Sequence, residues 1–237
     1  MNNLPKIDYP ILNIKLPSTK KSLTFRPFLV KEEKILLMAK ESKNDADIFT
    51  AIKQIVQNCC LEKKFDVNIV PIFDLEYLFI KLRAFSIDSV IKISYRDGED
   101  QSVYDFEIDL NEVEVEFPKK NENTIKINED TGLIMKYPPA SLYSDEEFLS
   151  LQKDHLFELI VRCVDKVYTG EEVYEAKDFN REQLSEFLEN LNIKVFEKVH
   201  EFLLNTPKLN HVINYKNKLG NDRKIVFSSL NDFFTWR

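Results

Sequence analysis

Glycine is nearly missing from this chain. Its 237 residues hold four, Gly98, Gly132, Gly170 and Gly220, each isolated from the others. A loop that cradles phosphate needs glycines close together so that backbone N–H groups can approach the anion, and neither common loop of that kind can be built here. Cysteine is scarce as well: Cys59, Cys60 and Cys163 form no CxxC pair and leave one thiol over. That usage suits a reducing compartment better than a disulfide framework. There is no run of about 18 apolar residues from which to make a membrane span. The start, MNNLPKIDYP, is polar and punctuated by proline, without a signal-peptide core. The chain is therefore expected to stay in the compartment where it is made. An excess of basic charge is also absent, with 33 Lys and Arg against 40 Asp and Glu, a net charge of −7. Sequence-independent nucleic-acid binding needs a basic face, so the balance weighs against it.

Catalytic patterns are missing in the same way. His155, His200 and His211 fall on different elements, and none has the partner spacing of a zinc-binding helix. No serine stands in a GxSxG elbow. Cys163 and His155 lie eight positions apart, about 12 Å along a helix, too far to meet within it. The vicinal pair Cys59 and Cys60 ends an amphipathic segment and reads as core packing. Asp97, Glu99 and Asp100 surround Gly98 without the ligand spacing of a calcium loop. Glu112, Glu114 and Glu116 alternate, as the wet face of a half-buried strand does. Neither enzyme activity nor a cofactor nor a metal site is expected.

What the chain does have is apolar helix. Hydrophobic residues make up 43% and aromatics 12%, enough for a sizeable core despite 31% charged residues. Residues 25–83 are the densest part. In the stretch 75–82, Leu75, Tyr77, Leu78, Phe79, Ile80 and Leu82 are six apolar residues in eight positions. A helix apolar on nearly every side must be covered on more than one face. Ahead of it, residues 11–16 and 22–28 read as strands and residues 30–43 as a helix with Lys31–Lys34 solvated and 35–39 buried. Leu36, Leu37, Leu78 and Leu82 are assigned to the core. Asp45 is the expected cap of a helix whose stripe is Ile48, Ile52, Ile55, Val56 and Cys59, and Asp74 the expected cap of the central apolar helix.

From residue 88 the period changes to two. Val90, Ile91 and Ile93 lead into Asp97–Gly98, then Tyr104, Phe106, Ile108 and Leu110 alternate with charges. Ile125 and Ile127, then Leu133 and Met135, suggest another hairpin around 130–132. Helices return at Ser144, which with Glu147 has capping-box spacing, ahead of the stripe Leu156, Ile160, Cys163, Val164 and Val167. Asn180 and Gln183 form a second box before Leu184, Phe187, Leu188 and Leu191. Residues 193–204 are a further helix, and 212–215 and 224–227 are strands. The expected fold is α+β: helical bundle elements, a small, mostly antiparallel sheet and a carboxy-terminal β-hairpin. Three segments are expected, residues 1–87, 88–140 and 141–237, either separate or packed as one compact unit. Both halves also run helix, hairpin, then Leu-Asn-acid-apolar, at 110–113 and 230–233. A duplicated helix–hairpin unit and chance likeness of two amphipathic hairpins both explain this echo.

Several long strings carry more information than any motif. LPKIDYP at 4–10, LPSTKKSLTFRPFLVKEEKILLMA at 16–39, IKQIVQNC at 52–59 and DLEYLFIKLRA at 74–84 resemble the baseplate hub assembly protein family of T-even-type contractile-tailed bacteriophages. FLLNTPKLNHVINY at 202–215 and SLNDFF at 229–234 resemble that family's end. The resemblance implies a structural part of the tail baseplate hub that works through contacts with other hub and central spike proteins, with no catalytic residues to carry over. It also implies assembly in the host cytoplasm and, for a retained component, residence in the virion tail. A dissociable assembly chaperone for hub or spike subunits is the alternative. Paired cysteines in the hairpin turns of relatives would suit zinc. Here the corresponding turns, 96–102 and 216–223, contain none, so metal is not expected there. The stretch 25–38 and the aromatic tail are the expected partner contacts, with Phe25, Phe28, Phe233, Phe234 and Trp236 as anchors, because aromatic anchors commonly dominate interface energy.

Overall fold

Alternation at the amino terminus produces a tight antiparallel pair, β1 (Leu12–Lys15) and β2 (Ser22–Phe25), with Leu12 opposite Phe25. The structure, a computed structural model, describes residues 7–42, 44–119, 122–151 and 155–233. It divides into two units: residues Met1–Glu116 with Lys208–Arg237, and residues Phe117–Pro207. This division differs from the three expected segments. The boundary falls inside the central β region, and the terminal hairpin belongs with the amino-terminal residues.

In the first unit, α1 (Val30–Ser42), α2 (Asp45–Cys59) and α3 (Ile72–Ser86) follow β2. The α2 stripe Ile48, Ile52, Ile55, Val56 and Cys59 is buried, as its 3.6-residue period requires. Asn44 is its cap, the side chain accepting from the Ala46 N–H at 3.0 Å, and Asp45 is already the first helical residue. The central helix α3 buries Phe73, Leu75, Leu78, Phe79, Ile80 and Leu82, so its all-round apolar character reflects coverage on several sides within the protein.

Asp74 is not the cap of α3. The helix starts two residues earlier, after Pro71, whose fixed φ and missing N–H suit a helix start. The Asp74 carboxylate is buried and accepts from the Ser18 N–H at 3.0 Å and from the Ser18 hydroxyl, holding the β1–β2 turn against the helix. Burial raises its pKa, opposed by the two bonds from Ser18.

Expectation and structure also part on α1. Glu32 is buried, whereas Leu37 and Met38 are 54% and 71% exposed. Glu32 makes two bonds to the Arg26 guanidinium, at 2.9 and 3.1 Å, and accepts from the Leu29 N–H at 3.0 Å. Arg26 in turn donates to the carbonyls of Pro27 and Asn58, each at 2.9 Å. A buried carboxylate is tolerable when paired and hydrogen-bonded in this way. Turning Glu32 inward rotates the helix and carries Leu37 and Met38 to solvent.

The remaining strands of this unit are β3 (Val90–Arg96), β4 (Val103–Asp109), β5 (Glu114–Glu116), β10 (Lys208–Lys216) and β11 (Asp222–Phe227). β3 and β4 form a two-stranded sheet, and β11, β10 and β5 a three-stranded one. Glu116 stands opposite Lys208 across the β5–β10 pair. Each hairpin is followed by a helical turn that begins on a buried leucine: a 3-10 turn Leu110–Glu112 after β4, and α8 (Leu230–Phe233) after β11. The echo in the sequence is thus an echo in the order of elements.

The second unit holds a four-stranded antiparallel sheet, ordered β6 (Thr124–Lys126), β7 (Thr131–Met135), β8 (Val164–Thr169) and β9 (Glu172–Glu175). Its helices are α4 (Glu146–Ser150), α5 (His155–Cys163), α6 (Arg181–Glu189) and α7 (Ile193–Leu204). The long helical stripe expected through Val167 ends at Cys163, and Val164 and Val167 lie on β8. Asp145, not Ser144, caps α4, accepting from the Phe148 N–H at 3.0 Å. The Asn180–Gln183 capping box on α6 is formed in both directions. Ile125, Leu133, Ile160, Leu188, Val199 and Phe202 meet in the core. Arg162 and Arg181 share Glu158 and reach Asp145 and Glu147, tying α4, α5 and α6 together.

Candidate functional site

The densest polar cluster of the first unit joins the tips of its β3–β4 and β10–β11 hairpins. The β3–β4 tip is a loop at 97–102, closed by Asp97 N–H to Ser102 carbonyl and Gln101 N–H to Asp97 carbonyl, at 2.9 and 3.0 Å. Gln101, not Gly98, takes the left-handed backbone, with φ 59°. The Asp97 side chain is buried. One oxygen accepts from the N–H groups of Glu99 and Asp100, at 2.7 and 3.1 Å; the other accepts from the Tyr215 hydroxyl and from Arg223 Nε at 3.1 Å. Glu99 accepts from the side-chain amides of Asn217 and Asn221, each at 2.7 Å. Asp100 accepts from the Tyr104 hydroxyl at 2.5 Å and from the Lys218 N–H at 2.9 Å.

The electrostatics follow from these bonds. The Tyr215 hydroxyl, the two backbone N–H groups and Arg223 hold the Asp97 carboxyl down to about 2, against the effect of burial. Burial and the facing Asp97 push the Tyr215 phenol up to about 12. The Tyr215 ring lies 4.9 Å from Tyr104 and 5.2 Å from Phe106. Both states are fixed across the neutral range, with Asp97 charged and Tyr215 protonated. The cluster works as a permanent clasp between segments about 118 residues apart in sequence. No group of three His, Cys, Asp or Glu suited to a metal ion occurs among the described residues.

The expected anchor residues divide into three kinds. Phe25 is fully buried, bridging to Cys60, with its ring 6.2 Å from Phe65, and Phe233 is buried with its ring 5.5 Å from Phe227. Neither presents its ring to a partner: Phe25 is the inward residue at the end of β2, and Phe233 closes α8 onto β11. Phe28 is half-buried, its ring 5.7 Å from Phe79 and its N–H donating to Ser86 Oγ at 2.9 Å. Phe234 and Trp236 lie outside the described residues. The apolar side chains that do face outward on this stretch are Val30, Leu37 and Met38 of α1, spaced i, i+7, i+8 along one side. The spacing is visible in the sequence; the buried Arg26–Glu32 pair that selects this side is not.

The two buried thiols are not poised for nucleophilic chemistry. Burial pushes Cys59 up to about 11 and Cys163 up to about 12, far from the thiolate that nucleophilic chemistry needs. The His155 ring lies 4.1 Å from Phe148, tilted by 41°, and His211 meets Phe227 edge-on at 6.2 Å, while His200 sits on α7. A cleft of about 670 Å³ in the second unit is lined by Glu122, Lys126, Lys198, Glu201, Phe202 and neighbours, with no nucleophile–base pair among them. No described helix is long and apolar enough to cross a membrane.

These features define an α+β protein of two units whose polar chemistry is directed at holding its own elements together. The chain belongs to the family of T4 bacteriophage base plate proteins, whose family model matches residues 9–235. It is thus a structural protein of the phage tail baseplate type. Comparison with curated proteins and with solved structures gives no significant match.

Proposed function

We propose that the protein acts in assembly of the central baseplate hub, through contacts with other hub and spike proteins and without catalysis. The observation that carries this reading is the outward stripe of Val30, Leu37 and Met38 on a helix held by the buried Arg26–Glu32 pair. Rigid, exposed apolar side chains on a clamped helix suit a protein–protein interface, because little ordering entropy is lost on docking. The low reactivity of the buried thiols and the fully partnered carboxylates of the hairpin clasp support a non-catalytic role. The test pairs two measurements. Leu37→Glu with Met38→Glu is expected to fold normally by circular dichroism yet fail to co-purify with hub subunits when co-expressed with them. Unchanged co-purification would remove α1 from the interface.

The second reading, a chaperone absent from the finished particle, is favoured by the exposed strand edges and the acidic balance, which suit a transient cover on basic subunits. Mass spectrometry of purified virions separates the two: stoichiometric recovery excludes the pure chaperone, and absence excludes the permanent component.

A further inference from the structure

The net charge of the chain is not spread over it. Residues 117–207 contain eleven Lys and Arg against eighteen Asp and Glu, which accounts for the whole −7; the rest of the chain balances at twenty-two of each. Within this acidic unit, β9 is the last strand of its sheet, and no further strand pairs with it among the described residues. Strand ends of this kind are usually blunted by lysine on the strand itself. β11 follows that rule with Arg223 and Lys224. β9 does not: its central residues are Val173 and Tyr174, 57% and 39% exposed, and Phe179 extends the apolar surface with its ring 6.2 Å from Tyr174.

The hairpin register says which backbone groups are available. Thr169 faces Glu172 across the two-residue loop Gly170–Glu171, with Gly170 at φ 58°. The pair flanking such a loop is hydrogen-bonded, so Val173, one step on, turns its N–H and C=O away from β8. Around this edge Glu171 and Glu172 are exposed and make no ion pair among the described residues, whereas Glu175 is paired with Lys166 at 2.8 Å.

We propose that the free edge of β9 accepts an extended, basic segment of another protein as a fifth strand. The reading rests on the proposed contact function and names the chemistry of one partner. Backbone hydrogen bonds to Val173 provide attachment, Val173 receives the aliphatic side chains on one face of the sheet, and on the other face Glu172, beside Tyr174, selects Lys or Arg together with Glu171 of the loop. A second copy of this chain suits the same edge less well. Directly opposite residues of an antiparallel pair are either both hydrogen-bonded or both not, so a copy can set only its own Val173 or Glu175 opposite Val173. The first register puts Glu171 opposite Glu175 twice, a like-charge repulsion, and neither brings a basic residue opposite Glu172. A basic segment turns that repulsion into attraction.

The test uses the full chain, isotopically labelled, titrated at low salt with a short peptide of alternating Lys and Val, and with a Glu/Val peptide as control. The expected result is a shift and slowed hydrogen exchange at the Val173 and Glu175 amides with the Lys peptide alone, weakening as salt is added. Val173→Pro removes the outward N–H while sparing the β8 pairing, and should weaken binding by about tenfold or more at unchanged circular dichroism. Glu171→Lys with Glu172→Lys, which leaves the backbone edge intact, should reverse the preference toward the Glu peptide. Perturbation that maps away from β9, binding indifferent to both variants, or a concentration-dependent dimer that protects β9 would overturn the proposal. Absence of the protein from hub complexes would refute the hub reading and leave this result standing, and the converse holds.

Discussion

Glu76 gives the first unit a stability that should fall as pH rises toward neutrality. It lies on α3, where its carboxylate accepts from the Leu230 N–H at 3.1 Å, so it tethers the start of α8 to the central helix. Burial pushes its pKa up to about 7 from an ordinary 4.5, the bond from Leu230 opposes the rise, and the Asp232 carboxylate adds to it. A carboxyl whose folded value lies above its unfolded value binds more protons folded than unfolded between the two. Its contribution is therefore fully present below about pH 4.5 and is lost as pH climbs to 7. At 1.36 kcal/mol per unit, the span corresponds to an upper bound of ~3 kcal/mol. Urea denaturation followed by circular dichroism from pH 5 to 8 measures it. Glu76→Gln keeps an acceptor for the Leu230 N–H but cannot ionise, so the variant should gain on the parent chain as pH rises, at up to about 1.4 kcal/mol per unit. A constant difference across that range would show that Glu76 stays ionised in the fold, and the argument from burial would fail.

Two further outcomes follow from burial. Leu78→Ala, at a fully covered site on α3, should cost about 2–5 kcal/mol in denaturant unfolding. Met38→Ala, on the exposed side of α1, should stay within about 0.5 kcal/mol of the parent; equal losses would contradict the inward turn of Glu32. Alkylation with iodoacetamide at pH 8, read by mass spectrometry, should label Cys60 first, because it is only partly buried. Cys59 and Cys163 should be labelled only with unfolding, and early labelling of Cys163 would contradict its position in the core.

Elements whose signals are local were legible in the sequence. The helix at 193–204 and the Asn180–Gln183 box depend on spacing and caps within one turn, and both are found as read. The α3 apolar run could be read as buried because no arrangement leaves that many apolar residues dry otherwise. Two of the larger misreadings are long-range, whereas the caps at Asn44 and Asp145 differ from the expected Asp45 and Ser144 by a single residue. Asp74 has the composition of a cap, yet Ser18, 56 residues away, claims its carboxylate. β5 reads as part of a local sheet, yet its partner is β10, beyond the whole second unit. The β8–β9 hairpin was hidden because Val164 and Val167 continue a helical period by coincidence. The local sign that could have revealed it is the β-branched and aromatic run around Thr169–Gly170. For the candidate contacts, burial divides residues 25–38 differently from the sequence reading: Phe25 is core, and Leu37 and Met38 are surface.

The division of the chain gives its last residues a role that their position does not suggest. The polypeptide leaves the first unit at Glu116 and returns at Lys208, and these two residues face each other across β5 and β10. The second unit is thus an insertion at what would otherwise be a hairpin turn, a site where added chain is well tolerated. It is continuous in sequence and can form as soon as it is synthesised, whereas the first unit lacks β10, β11 and the hairpin clasp until the end of the chain arrives. Contacts of such long separation are slow to form and leave unpaired strand edges exposed meanwhile. Phe233 packing on Phe227 and the three bonds that Asp232 accepts from Ser228 and Ser229 complete this late step. Removing the residues from Asn231 onward therefore strips buried surface from the first unit itself. An assembly defect caused by that truncation would report on folding before it reported on a partner, and only outward-facing substitutions, on α1 or β9, separate the two.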